Sequence, residues 1–315
     1  MLFEGPEKKL EVLLAPAAPP LRGLGPTFWE GVVAAAEAEI LSQLSSPECD
    51  AYLLSESSLF VWDDRLLMIT CGRTTLAVAA ERILRQVGTG AALASVIYER
   101  KNENFPHLQR SSFDDDVVRL RALVAGATEV FGDADGDHIA LFHLDRAWQP
   151  DADDTTLELL MHGIPDDVGG LFVPGRNDAP ELRRRSGLAD LFGDLAVDDH
   201  IFAPQGYSYN ALGGSTYATL HVTPQRIGSY VSFETNRQLD AAGQRAVVAR
   251  LLEAFRPARA ELLIFQRSLA LDPDEAGAVT GGLTVTHRTG RVLSCGYAVE
   301  YAHLQREPRV ERSTS

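Results

Sequence analysis

Cysteine is scarce in this chain of 315 residues: Cys49, Cys71 and Cys295 are the only three, and no two share the CxxC spacing of a metal knuckle. That excludes a disulfide framework, argues against a metal site, and points to a reducing compartment. Positive charge is short as well. Against 44 Asp and Glu stand 29 Lys and Arg, a formal charge of −15. Non-specific binding to nucleic acid or an anionic membrane rests on cationic side chains meeting phosphate, so neither partner is expected. No run approaches the roughly 18 uninterrupted apolar residues of a membrane span. Met1 to Leu14 lacks the basic start and long apolar core of a secretory signal, and the expected location is the cytoplasm. What the chain does have, 45% hydrophobic and 23% charged residues, is the composition of a folded globular protein able to bury a full core.

Punctuation along the chain suggests its order. A short apolar run at 10–14 is followed by the Pro/Gly-rich string APAAPPLRGLGP, then by Thr27 and Glu30 at capping-box spacing before an amphipathic stretch, 28–44. Strand-like runs at 51–61 and 66–70, a helix over 74–87 and a strand over 91–98 make a ββαβ unit. The same order recurs as strands 217–223 and 229–235, helix 240–255 and strand 262–265. Between them lie a helix over 113–123, a strand over 138–144 and an alternating run at 156–161. Residues 271–290 read as loop, and the tail RVERSTS as disordered. The repeat of pattern, with little repeat of identity, describes one domain of two similar halves in which antiparallel sheets are covered by helices.

The most unusual string is YLLSESSLFV at 52–61, where three serines and a glutamate interrupt an apolar strand. It has two readings. One is a tight polar break in a strand or at a sheet edge; the other is a strained serine whose hydroxyl attacks the preceding carbonyl, which needs a held peptide with a donor and a base nearby.

FEGPEKKLEV at 3–12, LSESS at 54–58, TCG at 70–72, YERKN at 98–102, TLELLM at 156–161, GYSYN at 206–210, and LHVTP with YVSFETN at 220–236 occur in one order. Together they closely resemble the eukaryotic-type S-adenosylmethionine decarboxylases, pyruvoyl-dependent lyases of spermidine and spermine biosynthesis. The resemblance runs from Phe3 to about Phe265. It implies an α+β fold, a four-layer αββα sandwich of two antiparallel sheets flanked by helices. It also implies a single domain over 1–315 that is made as a zymogen and cleaves itself between Glu56 and Ser57 into a small chain, 1–56, and a large chain, 57–315, with Ser57 becoming a covalent pyruvoyl cofactor that serves as an electron sink.

By the same resemblance, Ser208 assists processing, His221 is the base that removes the α-proton of the ester formed during cleavage, and Cys71 is the proton donor after carbon dioxide leaves. On their own, His221 reads as a satisfied strand histidine and Cys71 as a small buried hydrophobe. Glu4 and Glu7 match acidic residues placed at the active site. Phe3 and Phe202 match the two rings between which the family stacks adenine. Where the family usually has a glutamate accepting both ribose hydroxyls, this chain has Gln225, which gives up the charge-assisted pair.

A second group, Glu11, Asp154, Thr156, Glu158 and Glu234, with Phe265 as an aromatic wall, matches the site at which animal relatives bind putrescine as activator. Four buried carboxylates demand a cation among them. Ile69 stands where animal sequences have a lysine, and Lys9 where plant sequences, which need no putrescine, have an arginine, so Lys9 is expected to replace the diamine in part. Animal relatives are homodimers and plant relatives can be monomers. Two other functions are consistent with parts of the pattern: a pyruvoyl decarboxylase of another amino acid, ornithine or arginine, supported by Gln225, and a non-catalytic regulatory paralogue, opposed by the intact Ser57, Ser208, His221 and Cys71.

Overall fold

The strand Lys8–Leu14 (β1) sets the plan of the molecule. Its alternate residues Leu10, Val12 and Leu14 join a core made with helices, while Lys9 and Glu11 point the opposite way, as the two-residue period of a strand requires. Both faces of β1 are nonetheless buried, so a second layer must cover the charged face. A computed structural model describes residues 5–133, 136–270 and 279–306 and shows that this layer is a second sheet.

After β1 the first half continues with α1 (Pro26–Ala35), β2 (Ile40–Ser45), β3 (Cys49–Leu54), β4 (Ser57–Trp62), β5 (Arg65–Thr70), α2 (Leu76–Val87), β6 (Leu93–Lys101), α3 (Phe113–Arg121), β7 (Gly126–Gly132) and β8 (His138–Leu144). The second half holds β9 (Thr156–His162), α4 (Asp166–Gly169), α5 (Ala179–Ser186), α6 (Leu188–Phe192), β10 (Ala196–Ile201), β11 (Tyr207–Gly213), β12 (Thr216–Thr223), β13 (Tyr230–Thr235), α7 (Ala241–Phe255), β14 (Arg259–Gln266), β15 (Val279–Thr280), β16 (Leu283–Val292) and β17 (Ala298–Gln305). The first sheet runs β2-β3-β4-β5-β1-β6-β8-β7 and the second β10-β11-β12-β13-β9-β14-β17-β16-β15. With β15 set aside, the two orders are the same when each half is counted from its own first strand, and the strand pairings are antiparallel. The expected four-layer sandwich of two similar halves is present.

Helices α1, α2 and α3 cover the outer face of the first sheet through Trp29, Ile83 and Leu120, and α5, α6 and α7 cover that of the second through Leu182, Phe192 and Leu251. Between the sheets lie two apolar clusters, one around Leu160, Leu263 and Phe265 and one around Phe60, Leu67 and Tyr217. The space they leave is polar.

Four local expectations need correction. The stretch 28–44 is not one helix: α1 ends at Ala35 and β2 follows, its residues alternately half-buried and exposed. Nor does Thr27 cap α1, which starts on Pro26 with Gly25 before it and no side-chain cap; proline at the first helical position loses no hydrogen bond there. The run 51–61 is two strands, β3 and β4, folded back on each other across a turn at Ser55 and Glu56. Residues 283–290, within the stretch read as loop, belong to β16, a strand of mostly polar residues held by its ladder to β17. The terminal string RVERSTS lies outside the described residues.

A capping box does exist, at α3, where Ser112 Oγ accepts from Asp115 N at 3.1 Å and the Asp115 carboxylate accepts from Ser112 N at 2.8 Å. Ser112→Ala should therefore cost about 1 kcal/mol in urea denaturation, whereas Thr27→Ala should change stability by less than about 0.5 kcal/mol.

Candidate active site

The turn between β3 and β4 brings the chain to an unusual conformation. Ser57 has a φ of 128°, a region that residues with a side chain rarely enter, and it is 2% exposed. The Glu56 carbonyl before it accepts from Cys71 N at 3.0 Å and lies 3.5 Å from Cys71 Sγ, which is also 3.5 Å from Ser57 Oγ. The peptide 56–57 is thus strained on one side and polarised by donors on the other.

A cavity of 520 Å³ opens onto this peptide and is lined by Ser57, Cys71, Phe202, Ser208, His221 and Gln225 among others. Each comes from a different part of the chain, and register explains their meeting. Ser208 on β11 is paired directly with His221 on β12, so their side chains share the inner face of the second sheet. Ser208 Oγ lies 2.9 Å from His221 Nδ1. The other ring nitrogen, Nε2, lies 2.9 Å from Thr219 Oγ1 and 3.3 Å from Ser58 Oγ.

Burial keeps His221 and Cys71 uncharged. It pushes the His221 imidazole down to about 3, so the ring is neutral at physiological pH. Burial and then the Glu56 carboxylate hold the Cys71 thiol far above its ordinary range, leaving it a protonated thiol. The Glu56 side chain itself is raised to about 7 by burial, against the opposing pull of Lys8.

Glu7 does not line the cavity. It sits between the sheets, raised to about 8 by burial and by Glu234 and Glu99, while the Ser232 hydroxyl and Lys9 act in the other direction. Beyond it runs a charged seam. Glu158 and Glu234 are directly opposed on β9 and β13, and Lys9 reaches across from the first sheet to pair with both, closely with Glu158 and at 3.4 Å with Glu234. Lys9 Nζ is also 3.6 Å from Glu99, its register partner on β6, and 4.5 Å above the Phe265 ring. Farther along, Arg65 holds Glu11 at 3.3 Å and Asp154 at 2.5 Å, with Tyr297 Oη bonded to the same Asp154. Thr156 is buried at the start of β9.

The structure therefore brings Ser57, Glu56, Cys71, Ser208, His221, Phe202 and Gln225 to one cavity, and Glu11, Asp154, Glu158 and Glu234 into one seam. Phe3 and Glu4 lie outside the described residues. Sequence reasoning passed over Arg65, Glu99, Ser58, Asn210 and Thr219. A signal for four of them was there: Glu99 faces with Ile97, Asn210 with Ser208, Thr219 with His221, and Arg65 with Leu67, each two residues apart on a strand.

Because Glu7 releases its proton at a higher pH folded than unfolded, its contribution is full below the unfolded value near 4.5 and is lost as pH rises through about 8. Thermal denaturation should show the wild type losing more stability than Glu7→Gln between pH 5 and pH 8.5; parallel curves would contradict this.

A model of the adenosylmethionine decarboxylase family matches residues 1–302. The chain is 37% identical over 278 residues to the S-adenosylmethionine decarboxylase proenzyme of Dictyostelium discoideum, covering 82% of this chain and 73% of that protein. It is 34% identical over 289 residues to that of Leishmania donovani, with 86% and 74% covered, and 34% identical over 278 residues to that of Oryza sativa subsp. japonica, with 81% and 70% covered. Among solved structures, a Trypanosoma brucei AdoMetDC-delta26 monomer is similar with a TM-score of 0.60 and 24% identity, over 79% of this chain and 99% of that one, a likeness of fold.

Proposed function

The chain belongs to the adenosylmethionine decarboxylase family, and from that premise we propose that it cleaves itself at Glu56–Ser57 and then decarboxylates S-adenosylmethionine to the aminopropyl donor of polyamine synthesis. The observation that carries this reading is the Glu56–Ser57 peptide itself: a serine at φ 128°, its preceding carbonyl held by Cys71, opening on a cavity with a neutral histidine.

In self-cleavage, Ser57 Oγ adds to the Glu56 carbonyl carbon as the Glu56–Ser57 C–N bond breaks, which turns the amide into an ester and returns a proton to the Ser57 nitrogen. Cys71 N stabilises the negative charge that develops on the carbonyl oxygen. Removal of the Ser57 α-proton, assigned to His221 with Ser208 beside it, then breaks the Cβ–Oγ bond and expels the new C-terminal carboxylate of residue 56; the dehydroalanyl residue left at 57 takes up water and loses its nitrogen as ammonia to give the pyruvoyl group. Relief of the backbone strain at Ser57 favours the break.

The residues present fit a pyruvoyl group at position 57: Ser57 is buried at the cavity wall, and no charged side chain touches its hydroxyl among the described contacts. Such a group supplies an electrophilic ketone that draws electrons from the substrate α-carbon as carbon dioxide departs. The chain's own part is to bind, to exclude water and to return a proton. Phe202 offers an aromatic face for a nucleobase, Gln225 a neutral amide for a ribose, and Cys71 a thiol that burial keeps protonated and able to donate.

The seam supports a further part of the reading. Lys9 and Arg65 already place two cations among Glu11, Asp154, Glu158 and Glu234, so activity should depend little on putrescine. Ile69 is buried in an apolar cluster, and the charge it lacks is supplied from elsewhere.

Denaturing gels should show two bands for the wild type and one for Ser57→Ala, with Cys71→Ala cleaved at least in part but slow in turnover; unimpaired turnover would remove Cys71 from the protonation step. Carbon dioxide release measured in parallel from adenosylmethionine, ornithine and arginine should be confined to the first. Putrescine should activate the wild type only slightly and Lys9→Met strongly, and many-fold activation of the wild type would overturn the role given to Lys9.

A further inference from the structure

We infer that Asn210 is a positioning residue that sets the tautomer of His221, keeping its proton on Nε2 and leaving Nδ1 as the bare nitrogen that faces Ser208. The inference follows from counting protons in a closed network. A neutral imidazole carries one N–H, and each serine or threonine hydroxyl carries one O–H. On the Nε2 side stand Thr219 at 2.9 Å and Ser58 at 3.3 Å. Both hydroxyls also reach Asn210 Oδ1, Ser58 at 2.6 Å and Thr219 at 3.0 Å, and that oxygen can only accept.

The amide is oriented by its other end. Asn210 Nδ2 donates to the Tyr52 carbonyl at 3.3 Å, whereas the flipped amide would set its oxygen against that carbonyl. With Oδ1 toward the hydroxyls, two proton arrangements compete. If Nε2 carries the proton, it donates to Thr219, Thr219 and Ser58 both donate to Asn210, and Ser208 donates to Nδ1: four hydrogen bonds. If Nδ1 carries it, Thr219 must turn to Nε2, Nδ1 donates to Ser208, and only Ser58 still donates to Asn210: three bonds, the one lost being on the Nε2 side. Ser208 lines the cavity, where water can meet its hydroxyl in either arrangement, but the missing bond lies behind the ring, where Asn210 and Ser58 are 0% exposed and Thr219 1%. The first arrangement wins by one buried hydrogen bond.

The consequence is directional. The basic nitrogen is the one beside Ser208, so Ser208 links it to the cavity, and Thr219, Ser58 and Asn210 hold the ring from behind. The catalytic meaning rests on the self-cleavage proposed above; the tautomer does not.

Two measurements separate these. In uncleaved Ser57→Ala protein labelled with ¹⁵N-histidine, long-range ¹H–¹⁵N correlation spectra, with His221 signals identified by their loss in His221→Gln, should show Nε2 protonated and Nδ1 bare. Adding Asn210→Leu should move His221 toward the Nδ1–H form, and if that variant does not fold, Thr219→Val, which removes the acceptor for Nε2–H, should do the same. In the otherwise native chain, Asn210→Leu should slow cleavage by about 10²-fold or more, in the range of a lost general base, and Asn210→Asp, which keeps an accepting oxygen, should recover about tenfold or more of that loss. A bare Nε2 in the Ser57→Ala protein, or a His221 signal and cleavage rate unmoved by Asn210→Leu, would overturn the assignment. A native chain that never cleaves would refute the proposed function while the spectra still decided the tautomer.

Discussion

A single buried ammonium, that of Lys9, determines how the two sheets can face each other. Glu158 and Glu234 are directly opposed on neighbouring strands, an arrangement of like charges that is unfavourable without a bridging cation. Lys9 crosses from the first sheet to supply it, and Glu99 beside it and Arg65 farther along extend the pairing. Burial disfavours each of these charges alone, so their cost is offset only when both sheets are stacked in register. The seam is thus a condition on the sandwich as much as a feature inside it.

Next to the seam the chemistry changes character. Where the seam holds formal charges in pairs, the cavity holds groups that burial keeps neutral, the His221 imidazole and the Cys71 thiol. A neutral base and a protonated thiol are what a site needs in order first to accept a proton and later to give one back. Glu7, between the sheets, has its proton held by burial and by the carboxylates Glu234 and Glu99 of the seam.

Much of this was legible along the chain. β1 and β12 alternate because one face meets helices, β5 and β9 are apolar because both faces are buried, and the paired halves announced themselves as a repeated ββαβ order that the two sheet topologies now share. What was misread has a physical reason in each case. β2 is an edge strand with one face half-buried, so its weak alternation passed as the end of a helix. β16 is mostly polar and exists by virtue of its ladder to β17. The turn at Ser55 and Glu56 hid inside a run that composition alone marks as one strand.

The sequence by itself determined the inventory of chemistry: a serine after a glutamate in a polar break, a cysteine, a histidine two residues from a threonine, an excess of acids and the strand periods that send alternate residues inward. Tertiary structure alone decided which cation neutralises which carboxylate and which ring nitrogen keeps the proton. Lys9 with Glu158, Arg65 with Asp154, and Ser58 with Asn210 are contacts between segments far apart in the chain, brought together by the stacking of two sheets. Periodicity specifies the face on which a residue lies, but the partner opposite that face belongs to another strand, and only the packed register names it.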